Sequence, residues 1–383
     1  MSKIEELIKE LCPNGVKFEM INKVVDLYYG KGNTIPKDGG NYPVYGCYGI
    51  VGYTSTYNNE NTPIVGHIGS AGKVSWGRGQ HFVTYNGTIC KTRNKNILNS
   101  RYLYHILLNL KLENCVKGSQ PFLSISDFGT MKIPVPPLEV QEEIVRILDK
   151  FGELEAELEA ELETRKSQYE FWREKVFEFK KDYKSFKLEE LFDLKNGYTP
   201  STGNKLFWNN GTIPWFRMED IRTNGTVLNN AIQHITPEAL KKSGSFKANS
   251  IICATSATVG VHALIKIDFL CNQRFTCMTL KEKYINEINM KYIYYYCFQL
   301  DAYCLNNLNQ GNFCSVDMNT FKKFEFKIPS LQEQERIVNI LDKFDKLVND
   351  ISEGLPAEIE ARRKQYEYYR NKLLSFEELV VNG

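Results

Sequence analysis

Five histidines, ten cysteines and a few glycine pairs are the raw material from which this chain could build a catalytic or metal site. His67, His81, His105, His234 and His262 show neither the H-x-x-x-H nor the H-E-x-x-H spacing that sets two imidazoles on one helix face. No C-x-x-C pair occurs, and the closest cysteines, Cys271 and Cys277, match neither zinc nor dithiol patterns. No metal and no cofactor of its own is expected, and the thiols read as reduced and mostly buried. G-K-G at 30–32 and G-R-G at 77–79 lack the longer frames that cradle phosphates, so they read as turns. The one Pro-Pro pair, Pro136–Pro137, precedes Leu138 and reads as a stiff lead-in to a helix. No acidic pair sits in a recognisable catalytic frame. Nothing in these residues argues for catalysis.

The elements that must position any recognition surface are set by a repeat. LEVQEEIVRILDKF (138–151) returns as LQEQERIVNILDKF (331–344), with ten of fourteen positions identical. RKSQYEFWREKVFEF (165–179) returns as RRKQYEYYRNKLLSF (362–376), with seven of fifteen identical. The second copy gains four residues between these halves, at ISEGLPAEIE opposite ELEAELEAEL. In copy one, Ile144, Leu148, Phe151, Leu154, Leu158, Leu162, Tyr169, Trp172, Val176 and Phe179 form an apolar stripe; Ile337, Leu341, Phe344, Val348, Ile351, Leu355, Tyr366, Tyr369, Leu373 and Phe376 form the other. Spacings averaging 3.5 residues make such a stripe the seam of a coiled coil. About forty residues of helix would span roughly 60 Å. The simplest partner for each helix is its own repeat, paired antiparallel, with the intervening domains at opposite ends of a rod. Four extra residues are about one turn, shifting the stripe's phase slightly, and Gly354 with Pro356 predicts a kink or short break.

The segments between the helices are distant relatives of each other. INKVVDLYYGKG (21–32) shares a pattern with LEELFDLKNGYT (188–199), aligning Gly30 with Gly197. GHIGSAGKVSW (66–76) resembles ICATSATVGVHAL (252–264), aligning Gly72 with Gly260. Each continues with a tyrosine-rich helical run, at 101–110 and 289–300, and a Gly/Ser/Asn/Gln loop, at 116–126 and 307–317. Short β-prone runs broken by Gly, Asn and Asp predict mixed α+β domains rich in loop. Charge alternates as well: +5 over 1–130, −5 over 131–180, +4 over 181–325 and −2 over 326–383. Two surfaces suited to a polyanion would thus be separated by two that avoid it. No secretory leader and no run of eighteen apolar residues occurs, so a cytoplasmic chain without a membrane span is expected.

This organisation resembles the specificity subunit of type I DNA restriction–modification systems. The resemblance rests on 136–151 with 165–179, and on 328–344 with 355–376. ELCPNGVKFEMINKV (10–24) and GTIPWFRMEDI (211–221) also look like openings of its recognition domains. It implies target-recognition domain 1 over 1–135, a central helical region over 136–180, recognition domain 2 over 181–327 and a C-terminal helical region over 328–383. The implied fold class is α+β, with two mixed α/β recognition domains, two long helices paired as an antiparallel coiled coil, and a pseudo-twofold repeat. The implied role is non-catalytic. By that resemblance each domain would read one half of a bipartite, asymmetric site on double-stranded DNA, and the helices would set the spacing. The resemblance further implies that two adenine-N6 methyltransferase subunits would dock on the chain, optionally with restriction (motor–nuclease) subunits. S-adenosylmethionine, ATP and magnesium would be bound by those partners only. The residues agree: the D/N-P-P-Y/F loop that holds a flipped adenine is absent. An autonomous DNA-modifying enzyme is opposed by that absence, and a coiled-coil scaffold without a DNA role by the duplicated basic, loop-rich domains.

Base reading needs donors and acceptors in a groove, and phosphates need Lys, Arg and amides. Candidate DNA contacts in the first domain are Tyr48, Tyr53, Lys73, Trp76, Arg78, Ser119 and Gln120. In the second they are Tyr198, Ser201, Asn204, Lys205, Arg217, Arg222, Gln273, Arg274, Asn309 and Gln310. Trp76 is a wedge or a packing plane, and Arg217 either reads DNA or pairs with Glu219 or Asp220. Candidate partner contacts are the repeated Gln141, Arg165, Gln168 and Tyr169 with Gln334, Arg362, Gln365 and Tyr366. Their identity between copies fits either two identical partners or mutual helix packing.

Overall fold

The computed structural model describes residues 3–379 apart from 33, 37, 180, 243, 310–313 and 351. It forms two compact units, Met1–Ala160 with Ala357–Gly383, and Glu161–Pro356. The division falls inside the repeated helices, so each unit combines one recognition domain with half of each helical cassette.

The first unit opens with α1 (Lys3–Leu11), whose Ile4 is buried and whose Lys3 meets Glu143 at 3.0 Å. β1 (Lys17–Met20) passes through one turn, α2 (Ile21–Val24), into β2 (Val25–Tyr29). With β3 (Tyr42–Tyr45), β4 (Ile50–Thr54), β5 (Asn59–Gly66), β6 (Val74–Val83) and β7 (Gly87–Thr92), β2 makes a six-stranded sheet of order β2-β7-β5-β6-β3-β4. Behind it α3 (Ser100–Asn109) buries Tyr102, Leu103, Ile106 and Leu107. The Asn99 side chain starts α3 by accepting from the Arg101 and Tyr102 amides, two of the orphan donors of a helix N-terminus. After α4 (Ile125–Gly129), β8 (Lys132–Val135) returns antiparallel to β1 and hands the chain to α5 (Leu138–Lys175). Val140, Ile144 and Leu148 of α5 are fully buried in this unit.

The second unit repeats this plan in a different sequence. β9 (Lys184–Lys187), α6 (Leu188–Leu191) and β10 (Phe192–Asn196) match β1, α2 and β2. β11 (Ile213–Phe216), α7 (Met218–Asn224), β12 (Val227–Leu228), β13 (His234–Ile235), β14 (Ser250–Ala254), β15 (His262–Ile265), β16 (Leu270–Cys271) and β17 (Phe275–Leu280) follow. They build a sheet of order β10-β17-β14-β15-β12 and a smaller one of order β13-β11-β16. α8 (Met290–Leu305) takes the place of α3 and is started by Asn289 as α3 is by Asn99. α9 (Met318–Lys322) and β18 (Glu325–Ile328), antiparallel to β9, lead to α10 (Leu331–Asn349) and α11 (Leu355–Leu373). The glycines aligned from sequence fall at like places. Gly72 and Gly260 both hold positive φ, +82° and +86°, in the connections of the antiparallel pairs β5–β6 and β14–β15.

Within each unit one helix half from each cassette packs together. In the first unit the Phe151 ring stacks on Tyr369 at 5.4 Å, while Arg363 bonds Glu155 at 2.6 Å and Glu159 at 2.5 Å. Numbers rise along α11 as they fall along α5, so the pair is antiparallel. In the second unit Tyr169 stacks with Phe344 at 6.3 Å and its hydroxyl reaches Asp345 at 3.4 Å. Trp172 departs from the expected stripe, being 45% exposed. α5 runs unbroken through 38 residues. The second copy is interrupted instead of phase-shifted. Asp350 bonds the Ser352 and Glu353 amides, Pro356 sits in the first turn of α11, and Gly354 crosses the end of α10. A Cβ at Gly354 would lie 2.6 Å from the Lys346 carbonyl, so only glycine passes there without displacement. The chain's last described stretch returns to its start: Val16 donates to the Glu377 carbonyl and Leu379 to that of Val16, at 2.9 and 2.8 Å.

Candidate nucleic-acid interface

Four loop segments meet at one end of the first unit's sheet. Gly30 and Lys31 donate to the carbonyls of Gly87 and Val83, both at 2.9 Å. A Cβ on Gly30 would lie 2.2 Å from the Thr84 carbonyl, so the approach demands glycine. His67 donates its amide to Asn86 at 2.8 Å, and Leu123 donates to His67 at 3.0 Å. The buried His67 ring lies 4.0 Å from Tyr29, 4.9 Å from Phe122 and 5.5 Å from Tyr85, and its Nδ1 donates to the Leu123 carbonyl. Around this aromatic floor Lys31, Lys117, Ser119 and Gln120 are exposed.

The second unit assembles the same junction from unlike residues. Gly197 and Tyr198 donate to Phe275 and Cys271, and a Cβ on Gly197 would lie 2.2 Å from the Cys271 carbonyl. Thr255 donates to Arg274, while Val316 donates to Thr255 and Ala257 to Cys314. Ala257 holds φ +65° at the bend where the first unit has Gly69 at +92°, a strained conformation for alanine. Here the floor is polar: the Thr199 hydroxyl donates to Gln273 at 2.5 Å, with Gln273, Arg274 and Asn309 exposed. One scaffold thus presents two different sets of donors and rings.

The expected DNA contacts therefore separate. Ser119 and Gln120 join one junction, and Gln273, Arg274 and Asn309 the other; Gln310 lies outside the described residues. Tyr48 and Tyr53, 55% and 54% exposed, stand on the β3–β4 hairpin, with the Lys73 ammonium 5.0 Å from the Tyr48 ring. Trp76 is placed as a packing plane. It is half-buried beside the Arg101 guanidinium, 4.8 Å away, which also faces Tyr104. With Arg78 these two line a cavity of about 640 Å³ against Val145, Asp149, Gly152, Glu153 and Ala156 of α5. Tyr198 is hydrogen-bonded within its own unit. Its hydroxyl donates to Ala239 and accepts from the Lys241 amide, and its carbonyl accepts from Trp215 Nε1. Ser201 and Asn204 shape a turn, Lys205 and Arg222 are exposed, and Arg217 pairs with Glu219 at 2.8 Å.

The repeated helix residues separate as well. Gln141 and Gln334 are fully buried and unavailable to any partner. Gln141 accepts from the Asn99 amide and donates to the Ile97 and Pro136 carbonyls; Gln334 does the same with Asn289, Glu287 and Pro329. Each glutamine ties helix, lead-in and recognition domain together at the backbone amide of the asparagine whose side chain caps α3 or α8. Tyr169 is buried and Tyr366 half-buried, as packing residues. Arg165 forks onto Glu161 and Gln168, and Arg362 onto Glu358 and Gln365, leaving Gln168 and Gln365 exposed.

Several residues of note were not singled out from sequence. Phe171 and Tyr368, equivalent between copies, are exposed at 53% and 61%, three residues after Gln168 and Gln365. Asp149 accepts from Arg101 and His105, and Asp342 from Lys291 and Tyr295, a second repeated tie between helix and domain. Burial pulls the Asp149 carboxyl up, but the His105 hydrogen bond and the Arg101 charge outweigh it and hold it below the usual range. Burial likewise pushes the His105 imidazole below its ordinary value. The signal for these was the identical LDKF sequence, which fixes the aspartate but not its partners. Among the described residues no cluster of His, Cys, Asp or Glu could hold a metal, and no helix is long and apolar enough to cross a membrane.

Comparison with known proteins follows the same two-part pattern. The family model described as type I restriction modification DNA specificity domain matches residues 13–164 and again 180–361. The chain is 49% identical over 203 residues to the type I restriction enzyme EcoprrI specificity subunit of Escherichia coli, a match spanning 51% of either chain. It is 39% identical over 299 residues to the EcoR124I/EcoR124II specificity subunit of Escherichia coli, covering 74% of this chain and 72% of that one. In fold it is similar to the S subunit of a type I restriction–modification system from M. genitalium, with a TM-score of 0.57 at 16% identity over 94% of this chain and 96% of that one.

Proposed function

The chain belongs to the type I restriction–modification DNA specificity family, with two such domains, and from that premise we propose that it is the non-catalytic reader of a bipartite, asymmetric DNA site. Each unit reads one half-site through its four-loop junction, and the long helices set the number of base pairs between the halves. The observation that carries this reading is the junction itself. Gly30 and Gly197 hold one backbone arrangement in both units, whereas the floor is Tyr29, His67, Tyr85 and Phe122 in one and Thr199, Gln273 and Arg274 in the other. Equal scaffolds with unequal side chains are what two different half-sites require, because sequence is read by base-edge contacts.

Partner docking is assigned to the exposed helix faces. Arg165, Gln168 and Phe171 in one unit, and Arg362, Gln365 and Tyr368 in the other, offer one equivalent surface each for two adenine-N6 methyltransferase subunits. Restriction subunits join through that assembly. S-adenosylmethionine, ATP and magnesium belong to these partners, and the complex acts on DNA in the cytoplasm. The test is methylome sequencing of a host with and without the chain, followed by exchange of residues 181–327 for a relative's segment. One split N6-methyladenine motif should appear, and the exchange should alter one half of it. A continuous palindrome, or a change in both halves, would refute the reading.

A further inference from the structure

The most exposed large apolar side chain among the described residues is Leu206, at 77%. Single exposed leucines are common and usually mean nothing. This one is displayed by a turn built to hold it still. Lys205–Phe207 is one turn of 3₁₀ helix, and the Asn204 side chain accepts from the Leu206 amide at 3.2 Å. The Leu206 carbonyl accepts from the Thr236 hydroxyl, and the Phe207 carbonyl from the Thr236 amide, both at 3.0 Å. Below, Phe207 and Trp208 pack into a cluster with Trp215, Ile235 and Leu270, and Trp208 meets Trp215 edge-on at 5.0 Å. Both neighbours of Leu206 in the turn therefore have assigned places, Lys205 outward and Phe207 inward, and Leu206 alone projects an apolar surface into solvent.

Its setting is basic and continuous with the second unit's junction. Lys205 is exposed on the first of two turns that pack together here, and Lys241 and Lys242 are exposed just after the second (Pro237–Ala239), Lys241 lying 4.2 Å from the Tyr198 ring; Glu238 is the acidic residue on that second turn. The loop starts at Thr199, which is tied to Gln273. An apolar tip rimmed by ammonium groups matches side chains that enter a base step while cations hold the flanking phosphates.

We propose that Leu206 is a wedge that enters the base stack of the half-site read by the second unit, opening a flexible pyrimidine–purine step while Lys205 and Lys241 hold adjacent phosphates. The proposal rests on the reading of this unit as a DNA reader and adds deformability to its base contacts, so part of the target is selected at a step no polar group touches.

The test uses the complex with its methyltransferase subunits and duplexes carrying the motif found by methylome sequencing. 2-Aminopurine replaces a base at each step of the half-site that the segment exchange assigns to the second unit. Wild type should brighten one step, a pyrimidine–purine step. Leu206→Ala should abolish that signal and weaken binding by about tenfold, with the salt dependence of binding unchanged because no phosphate contact is lost. Leu206→Phe should restore the signal. If the segment exchange behaves as expected but Leu206→Ala binds and unstacks like wild type, the wedge is refuted and the DNA reading stands. If Leu206→Ala binds DNA normally but fails to copurify the methyltransferase, Leu206 is a protein contact and the proposal is likewise refuted. Failure of the segment exchange refutes the underlying reading instead.

Discussion

Replacing Gln334 by alanine should damage the fold, not the assembly. The amide side chain is fully buried, donates to the Glu287 and Pro329 carbonyls at 3.0 Å each, and accepts from the Asn289 amide at 2.9 Å. Alanine leaves all three backbone groups unpaired in a space where only water could replace the lost partner. At the lower end of the cost of a buried unsatisfied group, about 1 kcal/mol each, the loss is about 3 kcal/mol. For a unit of this size that corresponds to a melting shift of about 6–12 °C. The Asn289 amide begins α8, so its hydrogen exchange should accelerate ahead of the rest of that helix. Gln334→Glu is the sharper variant: a carboxylate can serve Asn289 but faces two carbonyls with nothing to donate. It should be less stable than alanine at pH 7 and recover on acidification as the carboxyl gains a proton. Thermal and denaturant unfolding with exchange mass spectrometry read all of this. If Gln334→Ala melts within about 2 °C of wild type and instead loses the methyltransferase, the argument from burial is wrong.

Gln168→Ala and Gln365→Ala, on exposed faces, should leave stability within about 0.5 kcal/mol while weakening methyltransferase copurification, each at one of two sites; unchanged assembly in the double variant would remove those faces from the docking surface. Gly197→Ala drives a Cβ to 2.2 Å from the Cys271 carbonyl, and should cost more than about 3 kcal/mol and erase methylation, read by unfolding and by methylome sequencing. The Glu143 carboxyl is lowered to about 2 by its hydrogen bond to Arg146, then Lys3. Its folded value lies below the unfolded one near 4.5, so its contribution is full above pH 4.5 and lost as pH falls toward 2. Glu143→Gln should flatten that part of the stability profile, and α1 should exchange faster at neutral pH; an unchanged acid limb would show that Lys3 and Arg146 do not act through Glu143.

What the sequence made legible was whatever repeats by identity or by period. The helices and their antiparallel pairing followed from the apolar stripe, and the interruption near Gly354 and Pro356 from residues that resist a helix interior. The recognition domains were legible only as outlines, because their shared scaffold constrains few positions. Gly30 and Gly197 must lack a Cβ, and Asn99 and Asn289 must cap a helix, while the side chains between are free to differ. The reading floors are hidden for that reason. His67, Tyr29, Tyr85 and Phe122 come from four separate segments, and no spacing announces that they meet. The same limit explains the glutamines. Gln141 and Gln168 each recur unchanged in the second copy, so identity alone could not tell a structural tie from an exposed one. Period could have. Gln141, Ile144, Leu148 and Phe151 step by three and four along the buried stripe, as do Gln334, Ile337, Leu341 and Phe344. Gln168 and Gln365 stand one residue before the stripe's tyrosines, and face solvent. A polar residue on an apolar stripe must be fully bonded to be tolerated, and in both copies the backbone amide of the N-cap asparagine, Asn99 or Asn289, completes those bonds. Phe171 and Tyr368 carry the converse lesson: the residue type changes between copies while the exposure is kept, so the property under repetition is a surface and not a side chain.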